Sequence, residues 1–250
     1  MTVVGSGAHI PGLPSPASFH SRLAVEMTGL MGADEDRRTD RNKVLSLLLS
    51  NRFGVGSAEH VAALGRRALC REVFGDRMRS MTLRVANGSV LAIGLGNPSA
   101  LFEMGFTLDR TLGVPYLPGS AVRGATRSFA NLEGQGADAD ALFGTPDCAG
   151  TVAVFDALPN IDVTVGTEVI TPHFAEWYTN GEAPGEWYSP VPVEFLVLTG
   201  GSFSVDLLDT MVGSDRPDLE SAAELVANGL FDLGIGGKTS SGFGVLERIS

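Results

Sequence analysis

The chain has 250 residues, 44% of them hydrophobic and 19% charged, and carries a formal net charge of −11. That composition supports one sizeable core and excludes a disordered protein. No apolar run approaches the ~20 residues a membrane span needs. Two cysteines, Cys70 and Cys148, make neither a disulfide framework nor a zinc pattern and fit a reducing, cytoplasmic setting. Residues 1–16 have no basic n-region and no apolar h-region, so no secretory signal is expected.

The charge is unevenly spread. Residues 1–127 hold 15 Lys and Arg against 10 Asp and Glu, whereas residues 128–250 hold 3 against 19. Such asymmetry can put one basic surface on an acidic protein, or the two halves can mix in three dimensions. Sixteen of the eighteen basic residues are Arg, which suits planar contacts to phosphate or carboxylate.

In chain order, residues 1–16 read as a Gly- and Pro-rich arm. A short helix is predicted over 17–31, a charged loop from Asp34 to Asp40, and a helix over 43–50. Ser57 reads as the N-cap of a helix to Phe74, with Val61, Leu64, Ala68 and Leu69 on its apolar face and Arg66, Arg67 and Arg71 on the solvated one. Met81–Ala86 and Ser89–Ile93 predict a hairpin about Asn87-Gly88. A Gly- and Pro-rich stretch runs from Gly94 to Gly119, and a helix from Ser120 to Asn131. Strands follow over 151–156, 163–170, 193–198 and 202–207, then a helix over 217–230 and a last strand over 242–248. This pattern predicts an α+β fold with helices on one face of an antiparallel sheet.

Several catalytic signatures fail. Gly237-Lys238-Thr239 resembles the end of a P-loop, but the first glycine such a loop needs is replaced by Asp232. Gly94-Leu95-Gly96 and Gly234-Ile235-Gly236 lack the third glycine of a dinucleotide fingerprint. His9, His20, His60 and His173 are scattered, no His or Cys pair has metal-ligand spacing, and no Gly-x-Ser-x-Gly elbow occurs. No metal and no cofactor are expected.

Two stretches stand out. Gly113 to Arg127 contains Pro118-Gly119 as a turn and Ser120 as a helix cap, so free N–H groups of the helix start would face an anion. Arg123 and Arg127, four apart, share one helical face, and Gly124 leaves room for a close approach. Gly234 to Gly244 holds five glycines in eleven residues with Lys238, Thr239, Ser240 and Ser241. Glycines free the backbone to form an anion-binding nest. Each stretch also reads as plain architecture: a capped helix with surface arginines, and a tight turn before the last strand.

Together these stretches resemble the signature of the RAMP superfamily of CRISPR-associated proteins, in which a Pro-Gly-Ser-x-x-(Lys/Arg)-Gly helix start pairs with a C-terminal Gly-rich loop. Gly94-Leu95-Gly96, Glu103 to Leu108, Phe155-Asp156-Ala157, Thr171 to Phe174 and Pro190 to Leu196 extend the resemblance to the sixth-RAMP-subunit family of type III-B (Cmr) effector complexes, over roughly residues 81–247. Departures are mild at Arg123 and Phe243. Asn97-Pro98-Ser99 stands where the family has His-Pro, and Glu168 where it has Asp, so no role carries over there.

The resemblance implies a ferredoxin-like (RRM-like) core with a helical insertion. The chain is expected to divide into a partly mobile N-terminal arm (1–42), which matches nothing in the family, a helical segment packed on the core (43–80) and a RAMP ferredoxin-like domain (81–250). The resemblance also implies a subunit that is not itself a nuclease. Such a subunit contacts CRISPR guide RNA, target RNA, neighbouring RAMP subunits and the small helical subunit. RNA-backbone contacts then fall to Ser120, Arg123, Arg127, Gly234, Gly236, Gly237, Lys238, Thr239, Ser240, Ser241 and Gly242. Two competing readings are a RAMP-type RNA endonuclease using His173 as acid or base, and a purely structural interaction subunit. Trp177, Tyr178, Trp187 and Tyr188 suit an interface or core, or stacking on bases.

Overall fold

A computed structural model describes residues 54–97, 104–171, 175–181, 183, 185, 192–211, 213 and 216–250. The expected arm and the helices over 17–31 and 43–50 lie outside these residues, as do His173, Trp187 and Tyr188. In chain order the elements are α1 (Ala58–Phe74), β1 (Met78–Val85), α2 (Gly119–Leu132), α3 (Gly136–Phe143), β2 (Val152–Val154), β3 (Leu158–Pro159), β4 (Thr164–Ile170), α4 (Ala175–Asn180), β5 (Val193–Gly200), β6 (Ser202–Asp209), α5 (Leu219–Asp232) and β7 (Leu246–Arg248).

The central sheet runs β2–β6–β1–β7, with every pair antiparallel. Helix α2 connects β1 to β2, and α5 connects β6 to β7. This is the βαββαβ strand order of a ferredoxin-like fold. β3 resumes pairing with β6 after a break at 155–157. β4 and β5 form a separate hairpin sheet inserted between the second and third core strands.

Local sequence explains the elements. Along β1, Met81, Leu83 and Val85 alternate into the core, as a half-buried strand requires. Asp218 caps α5 by accepting from the N–H groups of Glu220 and Ser221, and Leu219, Ala222, Ala223, Val226 and Leu230 then recur on its buried face. Those side chains join Leu83, Phe203, Val205 and Leu207 from the sheet and Val122 and Ala130 from α2 in one core. At the α2–α5 crossing a Cβ on Gly229 would lie 3.2 Å from the Thr126 Cα, so glycine permits the close approach.

Two expectations are corrected. The Asn87-Gly88 turn forms, with Gly88 at φ 81°, but residues 89–93 do not pair with β1. Both edges of β1 are taken by β6 and β7. Segment 89–93 turns away instead, and Leu91 bridges Leu198 while Ala92 bridges Gly237.

The second correction concerns α1. Ser57 caps it, accepting from the His60 N–H at 3.1 Å. The faces are rotated from the expected ones, however: Val61 is 54% and Leu69 58% exposed, while His60 and Ala63 are buried. Arg71 and Arg67 point at the sheet because buried Asp206 of β6 draws them there. The Arg67 guanidinium also stacks over the Phe155 ring, 4.5 Å from its centroid. Apolar periodicity was outweighed by one buried carboxylate.

Candidate nucleic-acid interface

Helix α2 begins one residue earlier than the sequence suggests. Pro118 occupies the cap position and offers no side-chain bond, and Ser120 is exposed and caps nothing among the described residues. The cap comes from across the fold: Asp156 Oδ1 accepts from the Gly119 N–H at 2.8 Å. The break between β2 and β3 delivers that carboxylate, and Ala157 bridges Leu117 in the same place. A Cβ on Gly119 would sit 2.2 Å from the Val154 carbonyl oxygen, so this contact requires glycine. Thus one of the expected free amides is already spent on the chain's own acid. Gly124 faces open space.

The two arginines of α2 differ. Arg123 is exposed and has no carboxylate partner among the described residues. Arg127 donates to Asp140 Oδ1 of α3 from Nε at 3.0 Å and from Nη2 at 2.6 Å.

The glycine loop is built against the rest of the domain. The Gly237 N–H donates to Ala92 O at 2.7 Å, the Gly244 N–H to Val90 O at 2.7 Å and the Ile235 N–H to Gly244 O at 2.9 Å. Gly234, Gly236 and Gly242 all have positive φ, and a Cβ on Gly236 would lie 2.3 Å from Ala92 O. A short 3-10 turn, Thr239–Ser241, uses the Ser241 and Gly242 amides internally. The successive amides of Lys238, Thr239 and Ser240 have no acceptor among the described residues. Lys238 itself stands at φ 62°, ψ 30°, a left-handed conformation uncommon outside glycine. Its ammonium lies 5.8 Å from the Phe195 ring centroid. Ser240, Ser241 and Gly242 are exposed, and Thr239 is half-buried.

Segment 90–97 ties the two stretches together. Its Leu95 packs on Gly237, and the Gly105 N–H donates to Leu95 O. Asn97 then lines a half-open cleft of about 600 Å³ with Phe106, Arg110, Thr111, Tyr116 and Asp156. Asp156 is the residue that caps α2, so the cleft lies between the glycine loop's support and the α2 start. Burial, then the charges of Asp156 and Asp109, push the Tyr116 phenol above its ordinary pKa. Arg110 and Asp156 were not among the residues expected to contact RNA. The local signal was the Asp109-x-Thr111 turn, in which Asp109 Oδ1 accepts from Thr111 N–H, Thr111 Oγ1 and Leu112 N–H.

The charge asymmetry resolves into contacts between the halves. Arg67 and Arg71 meet Asp206, Arg77 meets Asp209, Arg79 meets Glu220, Arg84 meets Glu247 and Arg127 meets Asp140. The cations without a carboxylate partner among the described residues are Arg66, Arg110, Arg123 and Lys238. No group of three or more His, Cys, Asp or Glu suited to a metal occurs among the described residues. No described helix is long and apolar enough to cross a membrane.

A model of the RAMP superfamily matches residues 82–247. The chain is 29% identical over 237 residues to the CRISPR system Cmr subunit Cmr6 of Pyrococcus furiosus, with 68% of each chain covered. It is 25% identical over 150 residues to the Cmr6 subunit of Saccharolobus solfataricus, with 59% of this chain and 49% of that one covered. Among solved structures, a chain of a type III-B Cmr-beta complex bound to cognate target RNA matches with a TM-score of 0.64 at 19% identity, covering 90% of this chain and 80% of that one. That likeness is one of fold. The crystal structure of Cmr6 from Pyrococcus furiosus matches with a TM-score of 0.43 at 26% identity, covering 69% of this chain and 98% of that one.

Proposed function

The chain belongs to the RAMP superfamily, and on that premise we propose that it is a non-catalytic, RNA-binding subunit of a type III-B (Cmr) CRISPR effector complex in cytoplasmic antiviral defence. Its likeness to two Cmr6 subunits supports the place in the complex. The observation that carries the RNA reading is the linkage of the α2 start and the glycine loop through segment 90–97. That linkage sets unpaired Arg123 and Lys238 on one connected framework.

A guide RNA carries many sequences, so its holder must contact backbone and shape rather than base identity. Arg123 and Lys238 are the phosphate-binding cations. The amides of Lys238, Thr239 and Ser240 and the hydroxyls of Ser120, Ser240 and Ser241 supply hydrogen bonds. Gly234, Gly236, Gly237 and Gly242 shape the loop that presents them. Arg127 joins only by exchanging Asp140 for phosphate. The partners are guide RNA, target RNA, neighbouring RAMP subunits and the small helical subunit. Residues 1–42 act as an arm and 43–80 as a helical segment that runs into the core strand β1 at Met78, ahead of the 81–250 domain. The non-catalytic reading is supported at Asp156, whose carboxylate is engaged in capping α2.

A tagged pull-down from the native host, with RNA sequenced and proteins identified, tests this. Repeat–spacer RNA with other RAMP subunits is expected. In the Arg123→Ala/Lys238→Ala double variant, RNA retention should fall and the log–log salt slope flatten by about two. RAMP partners without RNA would leave a purely structural subunit. Neither partners nor RNA would overturn the assignment. Guide or target cleavage lost on His173→Ala alone would install the endonuclease reading instead.

A further inference from the structure

We propose that the cleft beside the α2 start holds one ribonucleotide of the bound RNA, with its base on the Tyr116 ring, its 2′-hydroxyl on Asp156 and its phosphate on Arg110. This rests on the RNA-binding reading above and adds a discrete subsite to it.

Four observations carry it. The cleft, about 600 Å³, falls in the range of small-molecule sites, about 300–1,000 Å³. Its lining combines the half-buried Tyr116 ring with hydrogen-bonding groups and one guanidinium, chemistries that suit a nucleotide's base, sugar and phosphate. Asp156 Oδ1 is held by the Gly119 N–H, and Oδ2 has no partner among the described residues. A free carboxylate oxygen accepts from a hydroxyl, and the 2′-hydroxyl is the donor that RNA has and DNA lacks. Finally, Arg110 is exposed and has no carboxylate partner among the described residues, although Asp109 and Asp156 line the same cleft. Eight other described cations are locked in ion pairs.

Net charge narrows the ligand. Asp109 and Asp156 beside Arg110 make the described lining net negative, which disfavours a polyphosphate and leaves any phosphate contact to exposed Arg110. The location agrees: Asn97 of the cleft is two residues from Leu95, which packs on Gly237, while Asp156 holds Gly119 at the other side. A strand passing from the glycine loop to α2 crosses this opening.

The test is photo-cross-linking in the assembled complex carrying the full chain, on guide or target RNA with 4-thiouridine at successive positions. The tryptic peptide 111–123 contains Tyr116, which makes the adduct readable by mass spectrometry. An adduct on Tyr116 at one position is expected. A 2′-deoxy substitution there should lower its yield about tenfold, the loss of one good hydrogen bond. Arg110→Ala, at an exposed site and read on the longer tryptic peptide 85–123 that it leaves, and Asp156→Asn, which keeps an acceptor for Gly119, should each lower the Tyr116 adduct while leaving adducts at Lys238 intact. Adducts elsewhere on the chain but none on Tyr116 would overturn the cleft and spare the RNA reading. A protein cross-link at Tyr116 would assign the cleft to a peptide partner and overturn it. Loss of all RNA contact would overturn both.

Discussion

Arg71 Nε donates to Asp206 Oδ1 at 2.8 Å, and its Nη2 to Oδ2 at 3.2 Å, across 135 residues of sequence. Asp206 is 2% exposed, whereas Arg71 keeps a third of its side chain in solvent. The pair anchors α1 to the middle of the sheet and fixes which face of that helix looks inward. Removing one partner of a buried pair costs more than the pair contributes, because a charge is left behind.

Arg71→Ala leaves buried Asp206 with only Arg67, 3.6 Å away, and is expected to cost about 3 kcal/mol. Asp206→Asn leaves the Arg71 guanidinium, a third exposed, free to reach water, although the Arg67 Nη1 stays buried, and is expected to cost about half as much. Urea denaturation of the full chain measures both. Equal losses would refute the burial argument.

His60 gives the fold a pH edge. Its ring is fully buried, Nδ1 accepts from the Gly56 N–H at 3.0 Å, and Nε2 donates to Pro159 O at 2.9 Å. This arrangement needs the neutral ring, and burial holds the pKa below 6.5. The unfolded chain therefore binds the proton first as pH falls. The contribution of His60 is complete above pH 6.5 and is lost as pH falls through the lowered folded value. The melting temperature should decline below pH 6.5, and His60→Gln, which does not titrate, should flatten that decline. An unchanged profile in His60→Gln would place the sensitivity elsewhere.

At lower pH the Arg216 bridge fails. Hydrogen bonds from Arg216 hold Asp209 and Asp76 below the ordinary carboxylate pKa. Their contribution is present above about pH 4 and is lost as pH falls through the depressed values. Arg216→Ala should remove this acid-limb loss, leaving a curve that starts lower and falls less. A parallel acid limb in Arg216→Ala would show that these carboxylates do not set it.

The core was legible because its signals were local. The strand from Met81, the helix over 217–230 and the Pro118-Gly119 turn each follow from neighbours in sequence. Contacts between distant residues were not legible. Nothing near Arg67 or Arg71 announces Asp206, so periodicity put the wrong face of α1 inside. Nothing near Ser120 announces that Asp156 caps Gly119 from another strand. The Asn87-Gly88 turn was real, but hairpin pairing depends on which strands compete for β1. The split charge was likewise a property of chain order: six arginines of the first half pair with five acids of the second.

The same logic separates Arg127 from Arg123. Arg127→Ala removes a half-exposed pair with Asp140, so a stability loss of about 0.5 kcal/mol is expected, with RNA retention changed less than in Arg123→Ala. If Arg127→Ala releases RNA as strongly as Arg123→Ala, then Arg127 leaves Asp140 for phosphate in the complex.

The glycine loop offers a graded test of fold against function. Gly236 has φ 92°, and a Cβ there would lie 2.3 Å from Ala92 O. Backbone must therefore move, and Gly236→Ala should destabilise the domain by several kcal/mol. Gly242 has φ 83°, but a Cβ there meets nothing within 4 Å, so Gly242→Ala carries only the left-handed strain, about 1 kcal/mol. Lys238 already bears that strain, so Lys238→Gly should stabilise the chain by up to about 1 kcal/mol while removing the loop's cation. Thermal melts and RNA retention measured on the same variants then diverge: Lys238→Gly is expected to melt higher and hold RNA less well. A variant that melts higher and keeps its RNA would mean that the lysine's conformation serves neither the fold nor the ligand.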